Sequence, residues 1–346
     1  MTDTKFSKAA PMNVLVLGGA GYIGSHVVYD LIRAGHSVAV VDNLSTGLRE
    51  FVHPKARFYW ADITDPPALR KAVAGDVGEH GSIDVAMHFA AKLDVAESVD
   101  IPIEYYRNNV EGVRVLLSTM LEAGIKNIVF SSTAAVYGDP EAHQALKEDS
   151  VLAPINPYGA SKLAAEQLIQ WAAAAHGLNY AILRYFNAAG ADDSLKIGLE
   201  KEQYTHLIPL AVRAALGLEE DVKVFGDDWP TSDGSCIRDY IHVSDLSGAH
   251  LLAAHYLLKK QDSLLLNLGT AKGSSVKEVI AAVDKLKSCP YQVVGRRQGD
   301  PAVLIADATK AQKFLGWQTQ KSLAEIVESD LNFRLNVDRR LSVSWD

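Results

Sequence analysis

The apolar run NVLVL at 13–17 ends directly on GGAGYIGSH, and this junction limits the folds open to the chain more than any other stretch. Gly18, Gly21 and Gly24 recur every three residues, just after a strand-like segment and at the start of a helix-like one, YIGSHVVYDLIRAGH. Glycines in that context permit a tight turn and a close backbone approach, so that unpaired N–H groups and the positive end of a helix face a pyrophosphate. The next strand-like run, SVAVVDN, ends on Asp42, 18 residues beyond Gly24, where a carboxylate accepts from a ribose hydroxyl. An acid there favours NAD over its 2′-phosphorylated form, whose extra phosphate would meet like charge; Arg49 nearby argues the other way. The competing reading is a glycine-rich turn with Asp42 as a simple cap, which has no need of the strand-turn-helix setting.

The alternation continues. IDVAMHFAA, KNIVFSSTAAVYG and YAILRYFNAAG read as strands buried on both faces, each separated from the next by helical composition. The segments IPIEYYRNNVEGVRVLLSTMLEAG and SKLAAEQLIQWAAAAHG are apolar on one side and stop at Gly124 and Gly177, residues suited to a helix end. These features predict an α/β chain with a doubly wound parallel sheet over 12–187. After about Gly190 the regular pattern gives way to Gly, Asp and Pro clusters, which predict a smaller, loop-rich α/β lobe over 188–336. Segments near 239–269 are expected to return to the first domain, with tails at 1–11 and 337–346.

Charge and cysteine content narrow the partners. The formal net charge is −8 and there is no lysine- or arginine-rich block to track a phosphate backbone, which argues against nucleic acid. No stretch approaches the roughly 18 to 20 apolar residues needed to span a membrane. Cys236 and Cys289 form no C-x-x-C pair, so unpaired thiols in a reducing, cytoplasmic compartment are expected, without a metal.

Within YGASK, Tyr158 and Lys162 are four residues apart, one turn along one face of a helix. A phenol with a pKa near 10 is a poor base at neutral pH, but an adjacent ammonium stabilises the phenolate. The same spacing recurs at Tyr256 and Lys260, yet Tyr256 sits among leucines and alanines as core residues do, and Lys259 and Lys260 close a helix where cations complement its dipole. The first pair is set apart by Ser131, Ser132 and Thr133, hydroxyls at the carboxyl end of NIVF, the end at which ligands bind doubly wound sheets. Their plain reading is turn capping. ADI at 61–63 fits a strand end beside an adenine or, equally, a turn carrying Asp62.

Taken together, GGAGYIGSH, VVDNLSTG, HFAA, YYRNNVEG, FSSTAAVYG, NPYGASK, RYFNAAGA, THLIP, GSCIRDYIHV and RRQGDPAVLIAD resemble the extended short-chain dehydrogenase/reductases, and among them the nucleotide-sugar 4-epimerases. The resemblance runs in order from about Met12 to Trp317. It implies a Rossmann-type sheet, tightly bound NAD and interconversion of UDP-glucose and UDP-galactose through a 4-keto sugar that turns over between oxidation and re-reduction. It implies Tyr158 as acid and base at the 4-hydroxyl, Lys162 holding the nicotinamide ribose and depressing the Tyr158 pKa, and Thr133 orienting the hydroxyl.

Cofactor contacts implied in the same way are Gly18, Gly21, Tyr22, Ile23, Gly24, Asp42, Asn43, Asp62, Ile63, Phe89, Ala90, Asn109, Ser131, Tyr185 and Phe186. For the nucleotide sugar they are Asn187, His206, Leu207, Phe225 near the uracil, Arg238 and Arg297 as a diphosphate clamp, Tyr240, Asp300 at the ribose, and Leu304. Guanidinium groups suit a pyrophosphate independently, through their fixed fork of donors; the alternative for each is a surface ion pair. A homodimer through the helices ending near Gly124 and Gly177 is also implied.

Two departures stand out. Where some relatives carry a cofactor-contacting lysine this chain has Leu93, with Lys92 one residue earlier, and Leu304 replaces a bulky aromatic found in narrow-specificity members. A smaller residue there admits N-acetylated sugars. The nearest rivals are nucleotide-sugar dehydratases and decarboxylases, and a non-catalytic NAD-binding protein. Dehydratases resemble one another in an acidic pair after the strand-end threonine, where this chain has Ala134 and Ala135, and a sensor has no use for the Thr133, Tyr158 and Lys162 set.

Overall fold

The computed structural model describes residues 10–140, 144–201, 203–297 and 300–343. Two compact units divide the chain: one takes the residues up to Gly138, Val151–Arg184 and Ser247–Leu266, the other Asp139–Ser150, Tyr185–Leu246 and everything from Asn267 on. This partition differs from a boundary at 187/188. Residues 139–150 cluster with the second unit, and of the stretch near 239–269 it is 247–266 that belongs to the first.

In the first unit, β1 (Asn13–Leu17), β2 (Ser37–Asp42), β3 (Arg57–Trp60), β4 (Val85–His88), β5 (Asn127–Thr133) and β6 (Asn179–Tyr185) lie in the order β6-β5-β4-β1-β2-β3, and Leu264–Leu268 adds the strand beyond β6. The sheet has seven strands and is parallel. The order reverses direction between β1 and β4, and at such a switch point the carboxyl ends of the strands leave a crevice for a ligand. β1 pairs in register with both neighbours, Leu17 opposite Val41 and His88. All seven residues of β5 are buried, as a central strand covered on both faces requires. Leu15, Leu17, Val41, Ala86, Ile128 and Phe130 belong to one core cluster, in which each large side chain contributes roughly 1.5–3 kcal/mol.

The long helix expected before Gly124 forms in three parts: Pro102–Tyr106, a π-helical stretch Arg107–Glu111, and Gly112–Ala123. Gly124 (φ 73°) and Gly177 (φ 65°) both close their helices in the left-handed conformation.

In the second unit a separate cluster joins Val212, Val224, Tyr240, Val279, Ile280 and Ile326. The expected tail from Val337 is instead the end of a helix, Leu323–Val343. Phe333 is fully buried on it, and the buried Arg334 binds Asp330 one turn earlier through Nε–Oδ2 (2.7 Å) and Nη2–Oδ1 (3.1 Å), which hold a segment of polar composition in helical form. Trp345 lies outside the described residues.

Candidate active site

β1 hands directly into the glycine turn. Gly18 (φ +83°) donates its N–H to Val41 O at 2.8 Å, and a Cβ there would stand 2.5 Å from the Ala90 nitrogen. A Cβ on Gly24 would stand 2.1 Å from Gly18 O. The turn is therefore packed backbone to backbone, with no room for a side chain. Gly21 is the N-cap of the helix Tyr22–Arg33, and no side chain caps that end. A helix start bare of a capping side chain, reached through glycines, fits the pyrophosphate of NAD.

Asp42 is 8% exposed and accepts from Ala20 N (2.9 Å) and Leu44 N (2.8 Å), so the carboxylate offered to a ribose also braces the turn. Burial pushes its pKa up, and the two N–H bonds oppose that. Asp62 accepts from Thr64 N, Thr64 Oγ1 and Asn43 Nδ2 at 2.7–2.8 Å. Burial works against its charged form, but these hydrogen bonds and the Arg107 charge outweigh it and hold the pKa below the usual value. Phe89 and Ala90 turn their N–H groups onto Leu17 O (2.8 and 3.1 Å), closing the strand end next to Gly18.

Three implied cofactor contacts have protein partners of their own. The Asn109 carboxamide accepts from Lys92 N (2.9 Å) and Asn108 Nδ2 (2.9 Å) and donates to Lys92 O (3.1 Å) and Ser161 Oγ (3.0 Å). Two donors and two acceptors are all it has, so it fastens the loop after β4 to the Tyr158 helix. The buried Ile63 side chain fills the space over Gly112, and Ser131 Oγ pairs with His250 Nε2 at 2.9 Å. Of the two candidates after β4, Lys92 directs its ammonium to Glu97 (3.5 Å), while Leu93 is exposed.

The helix Pro157–His176 starts on Asn156, whose side chain accepts from Gly159 N at 2.8 Å, with Pro157 at the first helical position. This start places Tyr158 in the first turn and Lys162 in the next. The Thr133 side chain, at the end of β5, acts on the Tyr158 hydroxyl to lower its pKa, and its Oγ1 accepts from Ala135 N at 3.2 Å. Lys162 is 3% exposed and its ammonium lies 4.2 Å from the centre of the Phe130 ring. Burial lowers its pKa to about 7, with Glu166 acting in the opposite direction. The expected depression of the Tyr158 pKa is not what this environment gives: burial raises it, and the Thr133 side chain only partly counters that. A dry pocket penalises the phenolate, and it penalises the lysine cation meant to support it in the same way.

The second unit groups the other candidates. Arg297 lies over the Phe225 ring, 4.1 Å from its centre. Arg238 sits opposite Leu304 in a parallel pair of short strands, reaches Asp300 (3.5 Å), and donates to Ile237 O and Pro301 O. Asn187 donates its backbone N–H to Asp239 O (2.9 Å), and Tyr185 and Phe186 also fall in this unit. His206 occupies the N-cap position of the helix that begins at Leu207, without a capping bond from its side chain. Tyr240 is packed into the unit's hydrophobic cluster, and burial pushes its phenol up. Asp239, missed by sequence reasoning, is fully buried and accepts from Thr270 N, Thr270 Oγ1, Ala271 N and Ala306 N. It braces the loops flanking Arg238; its only signal was its place in IRDY.

The model of the NAD dependent epimerase/dehydratase family matches residues 14–269. A UDP-glucose 4-epimerase of Halalkalibacterium halodurans is 48% identical over 325 residues, 93% of this chain and 95% of its own length. Among solved structures, the UDP-glucose 4-epimerase of Stenotrophomonas maltophila with bound NAD and formylated UDP-arabinopyranose superposes with a TM-score of 0.90 at 40% identity, covering 95% of this chain and 99% of that one. The UDP-Glc/GlcNAc 4-epimerase of Campylobacter jejuni gives 0.81 at 39%, covering 94% and 99%.

Proposed function

From the NAD dependent epimerase/dehydratase family, to which this chain belongs, we infer that it interconverts UDP-glucose and UDP-galactose, oxidising and re-reducing the sugar at C4 with tightly bound NAD. The observation that carries the reading is Tyr158 at the start of a helix with Lys162 buried one turn on and Thr133 ending the central strand, in a chain that also has the bare glycine-rich helix start.

The chemistry NAD supplies when bound is reversible acceptance of the C4 hydride. The chain supplies the rest. Tyr158 takes the 4-hydroxyl proton and returns it after the 4-keto sugar has turned over, so the same phenol serves as base and acid. Thr133 fixes the direction of that proton. The Lys162 ammonium, when charged, favours the phenolate that burial disfavours. Gly18, Gly21 and Gly24 leave backbone N–H groups for the pyrophosphate, and Asp42 accepts from a ribose hydroxyl. Arg238 and Arg297 take the substrate diphosphate, Phe225 the uracil, and Asp300 the ribose. Ala134, buried, and Ala135, half-buried, in the turn after Thr133 offer no carboxylate for the elimination of a dehydratase.

The test is to incubate the purified chain with UDP-galactose and no added cofactor. Formation of UDP-glucose is expected; none, with NAD shown to be present in the protein, would overturn the reading. A second substrate class, N-acetylated UDP-sugars, is favoured by Leu304, a smaller residue than the aromatic that narrow-specificity members carry there.

A homodimer belongs to the same proposal. Val99 (62% exposed), Ile103 (80%) and Trp171 (75%) present apolar surface on or next to the helices expected at its interface. A monomeric mass in solution would count against it. Cytoplasmic residence is proposed on the two unpaired cysteines, both buried.

A further inference from the structure

One turn beyond Lys162 on the same helix lies Glu166, fully buried. Its carboxylate accepts the hydroxyl of Ser132, the residue before Thr133. It also takes the forked guanidinium of Arg184 on β6, through Nε (3.0 and 3.2 Å) and Nη2 (2.6 Å). Arg184 is 1% exposed and donates its Nη1 to the Tyr137 hydroxyl at 3.1 Å, in the turn that follows Thr133. One carboxylate thus joins the strand that ends on Thr133, the turn after it, and the helix carrying Tyr158 and Lys162.

Stability does not account for such a pair. Apolar groups of similar volume in place of a buried ion pair are often neutral or stabilising, because both charges give up their hydration. The pair sits instead where charge has a task. Facing Lys162 are Glu166 on its own helix, the Phe130 ring on β5, and His88 on β4. Burial, then the Lys162 charge, holds His88 at about 3, so it is neutral. Facing Glu166 are Ser132 on β5 and Arg184 on β6, with Tyr137 behind Arg184. Among these groups Glu166 is the one standing anion, and it acts against the burial that lowers Lys162.

We propose that Glu166, anchored by Arg184, is a positioning residue for the epimerisation: it sets the Thr133 strand end against the Tyr158 helix and holds its carboxylate one turn from Lys162. The inference rests on Tyr158 and Lys162 being the reactive pair.

The test compares wild-type holoenzyme with Glu166→Gln and with the double variant Glu166→Gln/Arg184→Met, which removes the buried guanidinium together with its partner, by following kcat and KM for UDP-galactose against pH. Without the Glu166 charge Lys162 loses its proton at lower pH. The alkaline fall in kcat should therefore begin roughly half a pH unit or more earlier, with kcat down about tenfold and KM changed less than about threefold. A folded variant whose alkaline limb stays at the wild-type pH overturns the proposal even if kcat drops, because a purely structural role lowers the rate without moving the limb. Failure of both variants to fold also overturns it, by making the pair a requirement of the fold. A wild-type enzyme that leaves UDP-galactose unchanged overturns the reaction reading itself, and this inference with it.

Discussion

Thr133 ends a central strand and Tyr158 stands in the first turn of a helix, and the Thr133 side chain opposes the effect of burial on the phenol. Thr133→Val keeps the shape and removes the hydroxyl. The Tyr158 pKa should then rise, moving the acid limb of the pH–rate profile to higher pH and lowering kcat at pH 7 about 10- to 100-fold. Thr133→Ser should stay within about threefold of wild type. Equal loss in both variants would show that the methyl group matters as much as the hydroxyl.

Gly24→Ala tests the turn. The new Cβ would stand 2.1 Å from Gly18 O and 2.9 Å from Gly18 C, both backbone atoms that cannot swing away. The helix start has to shift, at a cost of about 1–3 kcal/mol. The variant should melt several degrees lower and release less NAD on denaturation than wild type; full NAD occupancy would mean that the pyrophosphate does not sit on this turn.

How much of this was legible in the sequence depended on range. The strand-turn-helix of residues 13–33, the stops at Gly124 and Gly177, and the helical spacing of Tyr158 and Lys162 are local patterns, set by glycine and by the period of a helix. Glu166 and Arg184 looked like ordinary helix and strand residues, because the fold alone brings them together. Asp239 is similar: its partners at Thr270 and Ala306 are 31 and 67 residues away. The helix to Val343 was hidden by its polar composition, since Phe333 and the Asp330–Arg334 pair anchor it only once packed. The Tyr158 pKa was misjudged for a related reason: spacing reports a neighbouring charge but not the desolvation that outweighs it.

Leu304 is half-buried opposite Arg238. Wild type should therefore convert UDP-N-acetylglucosamine as well as UDP-galactose. Leu304→Tyr should cut the N-acetylated reaction by about tenfold or more and leave UDP-galactose within about threefold, the asymmetry expected when bulk alone is added to a pocket. No product from UDP-N-acetylglucosamine at high wild-type concentration would remove the broader specificity.

Acid should destabilise the protein through buried histidines. His36 is held at about 4, first by burial and then by the charge of His255, and His88 at about 3. Their ring nitrogens His36 Nε2 and His88 Nδ1 have no hydrogen-bond partner among the described residues, so a proton added there would be charged and unsolvated. Both folded-state values lie below the roughly 6.5 of an unfolded histidine. Between pH 6.5 and 4 the unfolded chain therefore binds protons that the native one refuses, so stability is complete above 6.5 and falls as the pH drops towards the native values. Buried carboxylates raised by desolvation, Asp42 and Asp245 among them, act in the opposite sense, so the histidine contribution has to be isolated by difference. His36→Asn removes one titrating ring. Its melting temperature, followed from pH 7.5 to 5, should fall less steeply than that of wild type, whatever its absolute stability; parallel curves would show that His36 titrates alike in the folded and unfolded chain.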